Sequence, residues 1–180
     1  MSEWKELDKK LIYDNGYMQL YENQLQDPNG NEIKRNLITT KADSVVIIAE
    51  DKGKFYLVGQ PRYGADCYSL EFPNGGVNHG EFPLEGAKRE LEEELGLVSN
   101  EWTDLGYFHV LNSLMRRKCF VYLASNVEFT TDRQNFPDKY EKLDSRCVSQ
   151  SELHHLITSS QITDSFTLSA YALLLVRGGM

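Results

Sequence analysis

The chain has 180 residues, 41% of them hydrophobic and 26% charged, with a formal net charge of −8. These totals suit one folded domain with at most a small appendage, and they exclude a disordered chain. An acidic chain also has no general pull on phosphate backbones, so nucleic acid is not an expected partner.

The first residues, "MSEWKELDKKLIYDNG", are polar and mixed in charge, without the apolar core of a secretion signal. No stretch reaches the roughly 18 apolar residues of a membrane span. Cys67, Cys119 and Cys147 are odd in number and lack metal-ligand spacing, which fits reduced thiols. A cytoplasmic protein with no membrane partner is the expectation.

Residues 11–25 alternate apolar and polar in part, as extended chain does. "DPNGN" at 27–31 carries strong turn chemistry, and "EIKRNLITTK" reads as the returning strand, giving an N-terminal antiparallel hairpin or meander. "SVVIIAE" (44–50) is β-branched and apolar, as a central strand is, and "FYLVGQ" (55–60) returns from it. "CYSLEFP" (67–73) is a further extended segment, followed by flexible backbone at "PNGG".

Residues 83–95 read as a helix, with Pro83 in its first turn and Gly96 just past its end. Leu84, Ala87, Leu91 and Leu95 recur on one face, suited to packing on the sheet. Residues 102–111 and 117–125 read as strands, 126–142 as a long loop and 143–149 as a short strand. Two helices complete the chain: 151–158, capped by Ser151, and 163–176, with Asp164 near its start and Gly178 after it. Strands, a helix, more strands and then helices predict a mixed α+β sandwich and not a doubly wound parallel sheet.

The helix at 83–95 carries the densest acid in the chain. Glu90 and Glu94 are four apart, and Glu90 and Glu93 three apart, so their carboxylates share one surface, while Glu85 and Glu92 point elsewhere. Like charges so spaced cost a helix about 0.2–0.5 kcal/mol per pair. Such a run is either a solvated face or the ligand set of a hard divalent cation, which takes carboxylate oxygens and completes its shell with water and phosphate. Arg89 stands beside Glu90, placed to pair with an acid and fix its rotamer.

The full spacing is Gly75, five residues, Glu81, seven residues, Arg89-Glu90-Leu91, one residue, Glu93-Glu94, one residue, Gly96-Leu97. It resembles the Nudix box, G-x5-E-x7-R-E-U-x-E-E-x-G-U with U a bulky aliphatic, and every fixed position is filled. Beyond the box, "FYLVGQPRYG", "YSLEFPNGG" and "ITDSFTLSAYALLL" resemble the ADP-ribose and nucleoside diphosphate sugar pyrophosphatase branch. The sequence departs from that branch in one place: "HVLNSLMRRK" lacks the proline that those enzymes carry roughly sixteen residues after the box.

The resemblance implies a Nudix-type α/β/α sandwich over residues 43–180, preceded by an antiparallel sheet over 1–42 that is exchanged in a homodimer. It implies a pyrophosphohydrolase that uses Mg²⁺ or Mn²⁺ and cleaves ADP-ribose or a related nucleotide sugar. Glu90, Glu93 and Glu94 would hold the metal, with the main-chain carbonyl at Asn74 or Gly75. Arg89 and Glu81 would support the box. Arg62, Glu71 and Arg116 would meet substrate, with Arg117 also in reach. Glu141 would be the catalytic base, with Asp138 and Asp144 as alternatives. Other Nudix substrates, such as nucleoside triphosphates or dinucleoside polyphosphates, and a non-catalytic nucleotide sensor are the competing readings.

Overall fold

A computed structural model describes residues 3–130 and 144–178. The chain runs β1 (Lys5–Asp14), β2 (Met18–Gln26), β3 (Glu32–Thr40), β4 (Ser44–Asp51), β5 (Lys54–Arg62), β6 (Cys67–Glu71) and β7 (Asn74–Gly76). There follow α1 (Pro83–Leu95), β8 (Leu97–Val98), β9 (Glu101–His109), β10 (Met115–Arg116), β11 (Lys118–Ser125) and β12 (Glu128–Phe129). The last elements are β13 (Asp144–Ser149), α2 (Gln150–Thr158) and α3 (Ser165–Arg177). They fall into two compact units, one of residues 1–43 and 109–118, the other of 44–108 and 119–180.

The first unit is a sheet in the order β1-β2-β3-β10, antiparallel except for the last pair. The hairpin or meander expected here is a meander of three antiparallel strands, and residues 11–25 fall across the first two. Asn15 turns the chain, its Oδ1 accepting from the amides of Tyr17 and Met18 at 3.0 and 2.8 Å. The turn at 27–31 forms as expected, with the Asp27 carboxylate accepting from the amides of Asn29 and Asn31. Residues of β1 are exposed along its whole length, Leu7, Leu11, Ile12 and Tyr13 among them.

The second unit is built on a sheet in the order β13-β5-β4-β11-β9. β4 and β11 are its parallel central pair. β4 is buried almost throughout, as its β-branched run requires. Val45, Ile47 and Ala49 cluster with Ala87, Leu91 and Leu95 of α1. The alternate residues Val46 and Ile48, also fully buried, point to the opposite face, and α3 packs against β4 as well. Helices thus cover both faces, which is the expected sandwich.

α1 spans the expected residues. Pro83 opens it, and Gly96 closes it at φ 63°, donating its amide to the carbonyl of Glu92 at 2.8 Å. α2 starts one residue earlier than expected. Its cap is Ser149, whose Oγ accepts from the Glu152 amide, while Ser151 lies inside the first turn. α3 is capped by Asp164 as expected.

The run after β6 is not flexible linker. The chain changes partner strand within four residues. Glu71 stands opposite Val58 of β5, whereas Asn74 stands opposite Val46 of β4. Pro73 sits in between, its carbonyl accepting from the Ile47 amide at 2.8 Å. β7 therefore lies beside α1, and this positions the site. No helix among the described residues is long and apolar enough to cross a membrane.

Candidate active site

Three of the box acids line the edge where α1 meets β7. Glu90 lies against Gly75, where a Cβ would collide with its carboxyl group. Only glycine leaves that space on the strand. Glu94 accepts from the Asn74 amide at 3.1 Å. Glu93 is more exposed and joins the group through Arg89.

Arg89 is the organiser. It donates to Glu81 through Nε and Nη2 at 3.1 Å each, to Glu90 at 2.8 Å, to Glu93 at 2.9 Å and to the Gly76 carbonyl at 2.8 Å. The Glu81 bonds above all, then those to Glu90 and Glu93, hold the guanidinium well above the usual arginine value. Glu81 also accepts from the Asn78 amide at 2.7 Å, tying the loop before α1 to the helix.

Glu90 is electrostatically strained. Burial pushes its carboxyl above the ordinary glutamate range, Arg89 opposes the shift, and the charges of Glu93 and Glu81 add to it. A carboxylate desolvated beside other carboxylates is stabilised by a nearby cation.

Glu92, which helical spacing points away from the other acids, is not simply solvated. Its Oε1 accepts from the Thr130 hydroxyl at 3.2 Å, joining α1 to the segment after β12.

Two expected substrate-binding residues hold each other. Arg62 donates to Glu71 through Nε at 2.9 Å and Nη2 at 2.5 Å. The Asn74 side chain gives the same carboxylate a further bond at 3.1 Å. Glu71 is 1% exposed. Burial favours its neutral form, yet Arg62, Ser69 and Asn74 together hold it below the ordinary glutamate range. Its principal contact is thus with Arg62, an ion pair that spacing alone did not reveal.

Arg116 lies in the first unit. It lines a cavity of about 460 Å³, with mixed polar and apolar walls, together with Trp4, Glu6, Asn23, Arg35 and Leu37. Asn23 is 4% exposed, donates to Glu6 at 2.9 Å, and has no partner for its Oδ1 among the described residues. Sequence reasoning missed Asn23 and Arg35, which sit in an ordinary strand pattern. Of the three expected base candidates, Glu141 and Asp138 lie outside the described residues. Asp144 opens β13 and accepts from the Tyr68 hydroxyl at 2.6 Å. The aromatic side chains of Tyr63, Phe82 and Tyr107 are all exposed, and Tyr107 also packs on Phe120.

This arrangement of acids, arginine and glycine strand agrees with a match of residues 39–164 to the model of the NUDIX domain. The chain belongs to the Nudix family. It is 28% identical over 171 residues to the ADP-ribose pyrophosphatase of Bacillus subtilis (strain 168), covering 95% of this chain and 91% of that protein. It is 19% identical over 176 residues to a CMP-5'-(N-acetyl-N-hydroxy-3-aminopropyl)phosphonate hydrolase of Streptomyces rubellomurinus (strain ATCC 31215), covering 98% and 84%. Its fold matches the crystal structure of an ADP compounds hydrolase with a TM-score of 0.85 and 22% identity, over 99% of this chain and 94% of the other. The sandwich inferred from the order of elements is therefore the Nudix fold.

Nudix hydrolases generally use a divalent metal. Among the described residues no three acidic, imidazole or thiol side chains already converge as a ligand set. The residues nonetheless suit one. Glu90 is desolvated in the space left by Gly75, Glu93 is held beside it, and Glu94 faces the same strand. All three are hard oxygen donors, as Mg²⁺ requires.

Proposed function

We propose that this Nudix pyrophosphatase hydrolyses the diphosphate of ADP-ribose or a related nucleoside diphosphate sugar. Water attacks one phosphorus, the bridging P–O bond breaks, and a nucleoside monophosphate and a sugar phosphate leave. The observation that carries the reading is the juxtaposition of Glu90, Glu93 and Glu94 with the Asn74–Gly75 strand in a chain of this family. In this reading the three carboxylates and the Asn74 or Gly75 carbonyl hold Mg²⁺ or Mn²⁺. When bound, the cation supplies charge neutralisation on the pyrophosphate oxygens and acidifies water. It also lets an acidic protein bind an anionic substrate.

The remaining roles belong to the chain itself. Arg89 orients Glu90 and Glu93 and balances their charge. Arg62, set by Glu71, meets a substrate phosphate as a fork-shaped donor. Arg116 meets the terminal sugar or phosphate. Glu141 takes the proton of the attacking water. Support for the substrate class comes from the Bacillus subtilis relative, matched over nearly all of both chains.

We also propose a homodimer built through the first unit, working in the cytoplasm. The exposed Leu7, Leu11, Ile12 and Tyr13 of β1 support it, since large apolar side chains left in water gain from burial against a partner. Light scattering that gives a monomer mass would count against it.

The deciding experiment is a panel of ADP-ribose, other nucleoside diphosphate sugars, nucleoside triphosphates and dinucleoside polyphosphates, assayed with Mg²⁺ and Mn²⁺ for released products. Turnover confined to triphosphates or dinucleoside polyphosphates would move the protein to another Nudix class. Tight ADP-ribose binding without products would make it a sensor.

A further inference from the structure

The C-terminal helix is hydrogen-bonded to the chain segment that leads into the site. Thr167 of α3 is fully buried. Its hydroxyl accepts from the Phe72 amide at 3.0 Å and donates to Asp164 Oδ2 at 2.8 Å. The same carboxylate oxygen caps α3 by accepting from the Thr167 amide at 2.8 Å.

Phe72 is where the chain leaves β5 and passes to β4. Its neighbour Pro73 has no amide to donate. A buried backbone donor at this point needs a partner other than a strand, and Thr167 provides it. A threonine hydroxyl donates and accepts at once, which links the cap of α3 to the strand crossing. The Phe72 carbonyl then accepts from the Asn74 side chain at 3.0 Å, and the Asn74 amide donates to Glu94 at 3.1 Å. Hydrogen bonds, linked in turn by the covalent backbone of Phe72 and by Asn74, thus connect Asp164, Thr167, Phe72, Asn74 and Glu94.

We propose that Thr167 is a positioning residue for hydrolysis, acting through the Phe72 amide to fix the Glu71–Gly75 crossing, and so the Asn74 and Gly75 carbonyls, against Glu90 and Glu94. It touches neither substrate nor cation. The proposal rests on the metal reading given above.

Thr167→Val keeps the shape of the side chain and removes both hydrogen bonds, whereas Thr167→Ser keeps them. The probe is Mn²⁺ alone, titrated into the protein and followed by electron paramagnetic resonance, together with kcat and KM for ADP-ribose at fixed Mg²⁺. Thr167→Val is expected to weaken Mn²⁺ binding by up to about 10-fold, the lower end of what loss of a group bonded directly to a metal ligand does. It is expected to lower kcat with a smaller change in KM, and Thr167→Ser to restore both. A Thr167→Val protein with parental Mn²⁺ affinity and kcat, even with a lower Tm, overturns the proposal and leaves Thr167 a structural residue.

Glu94→Gln separates the two layers of the argument. If it weakens Mn²⁺ binding and Thr167→Val does not, only the positioning role fails. If it leaves Mn²⁺ affinity unchanged, the metal reading fails and the positioning role with it. Should Thr167→Val not fold, Asp164→Asn removes the charge that holds the hydroxyl. A drop in Mn²⁺ affinity then supports the proposal, and parental affinity overturns it.

Discussion

The carboxylate of Glu90 occupies the space that a side chain on Gly75 would fill. A strand residue and a helix residue fifteen positions apart are thereby matched in shape. Gly75→Ala adds one methyl group at this contact. The backbone of Gly75 is ordinary strand, so the cost is steric and falls on Glu90. Overpacking of this kind costs about 1–3 kcal/mol. The fold should survive with a lower Tm, while Mg²⁺-dependent turnover should drop far more than stability does. Parallel thermal melts and Mg²⁺ titrations of activity check this. Parental activity in Gly75→Ala would show that Glu90 is not needed where it stands.

Glu94 faces the Asn74 amide, so its replacement tests the ligand set without altering the packing of α1. Glu94→Gln should lower kcat by at least about 100-fold, above the range seen when only an outer partner of a ligand is lost. The parent protein should gain stability with added Mg²⁺, by about 2.7 kcal/mol at a hundred times the dissociation constant. Glu94→Gln should lose most of that gain. Calorimetric melts with and without a chelator measure both. A Tm that ignores Mg²⁺ in the parent would contradict the relief of repulsion among Glu90, Glu93 and Glu94.

Glu81 gives a pH test of the support beneath these acids. Its hydrogen bonds from Arg89 hold its carboxyl below the ordinary value of 4.5, against a smaller push from burial. The folded protein therefore binds this proton more weakly than the unfolded chain does. Its contribution to stability is fully present above 4.5 and is lost as pH falls through the lower folded value. Glu81→Gln should be less stable than the parent by about 1.5–3 kcal/mol at neutral pH, the range for hydrogen bonds to a charged group. The gap should narrow as pH drops below 4.5. Urea melts across pH in metal-free buffer measure it, and a gap that stays constant would mean the charge of Glu81 plays no part.

The box was legible because its chemistry is local. A helix of known phase carries Arg89 through Glu94, and the apolar positions Ala87, Leu91 and Leu95 on the same helix bury as their spacing requires. The turn at Asn15 was hidden by weak alternation on both sides, and a stronger turn signal follows twelve residues later. Ser149 and Ser151 are both good caps by type. Only the start of α2 chooses between them. What sequence does not express is long-range pairing. The Thr130 hydroxyl on Glu92 spans 38 positions, and the Phe72 amide on Thr167 spans 95. Arg62 and Glu71 were each read as facing substrate because each was read alone. Their mutual bond follows from β5 and β6 being neighbours, a fact of topology.

That bond leads to the last prediction. Glu71 is buried and acts on a substrate through the orientation it gives Arg62. Arg62 keeps a side chain 39% exposed, so it is the member of the pair placed to meet a phosphate. Arg62→Ala should raise KM for a nucleotide sugar. Glu71→Gln should raise it less, because the amide still accepts a hydrogen bond but no longer holds both nitrogens of the fork by charge. The double variant should be hardly worse than Arg62→Ala alone, since residues that act as a unit are not additive. Steady-state kinetics of the four proteins, corrected for any loss of folded protein, close this cycle. Additive effects on kcat/KM would mean that Glu71 has a role of its own in the site and does not work through Arg62.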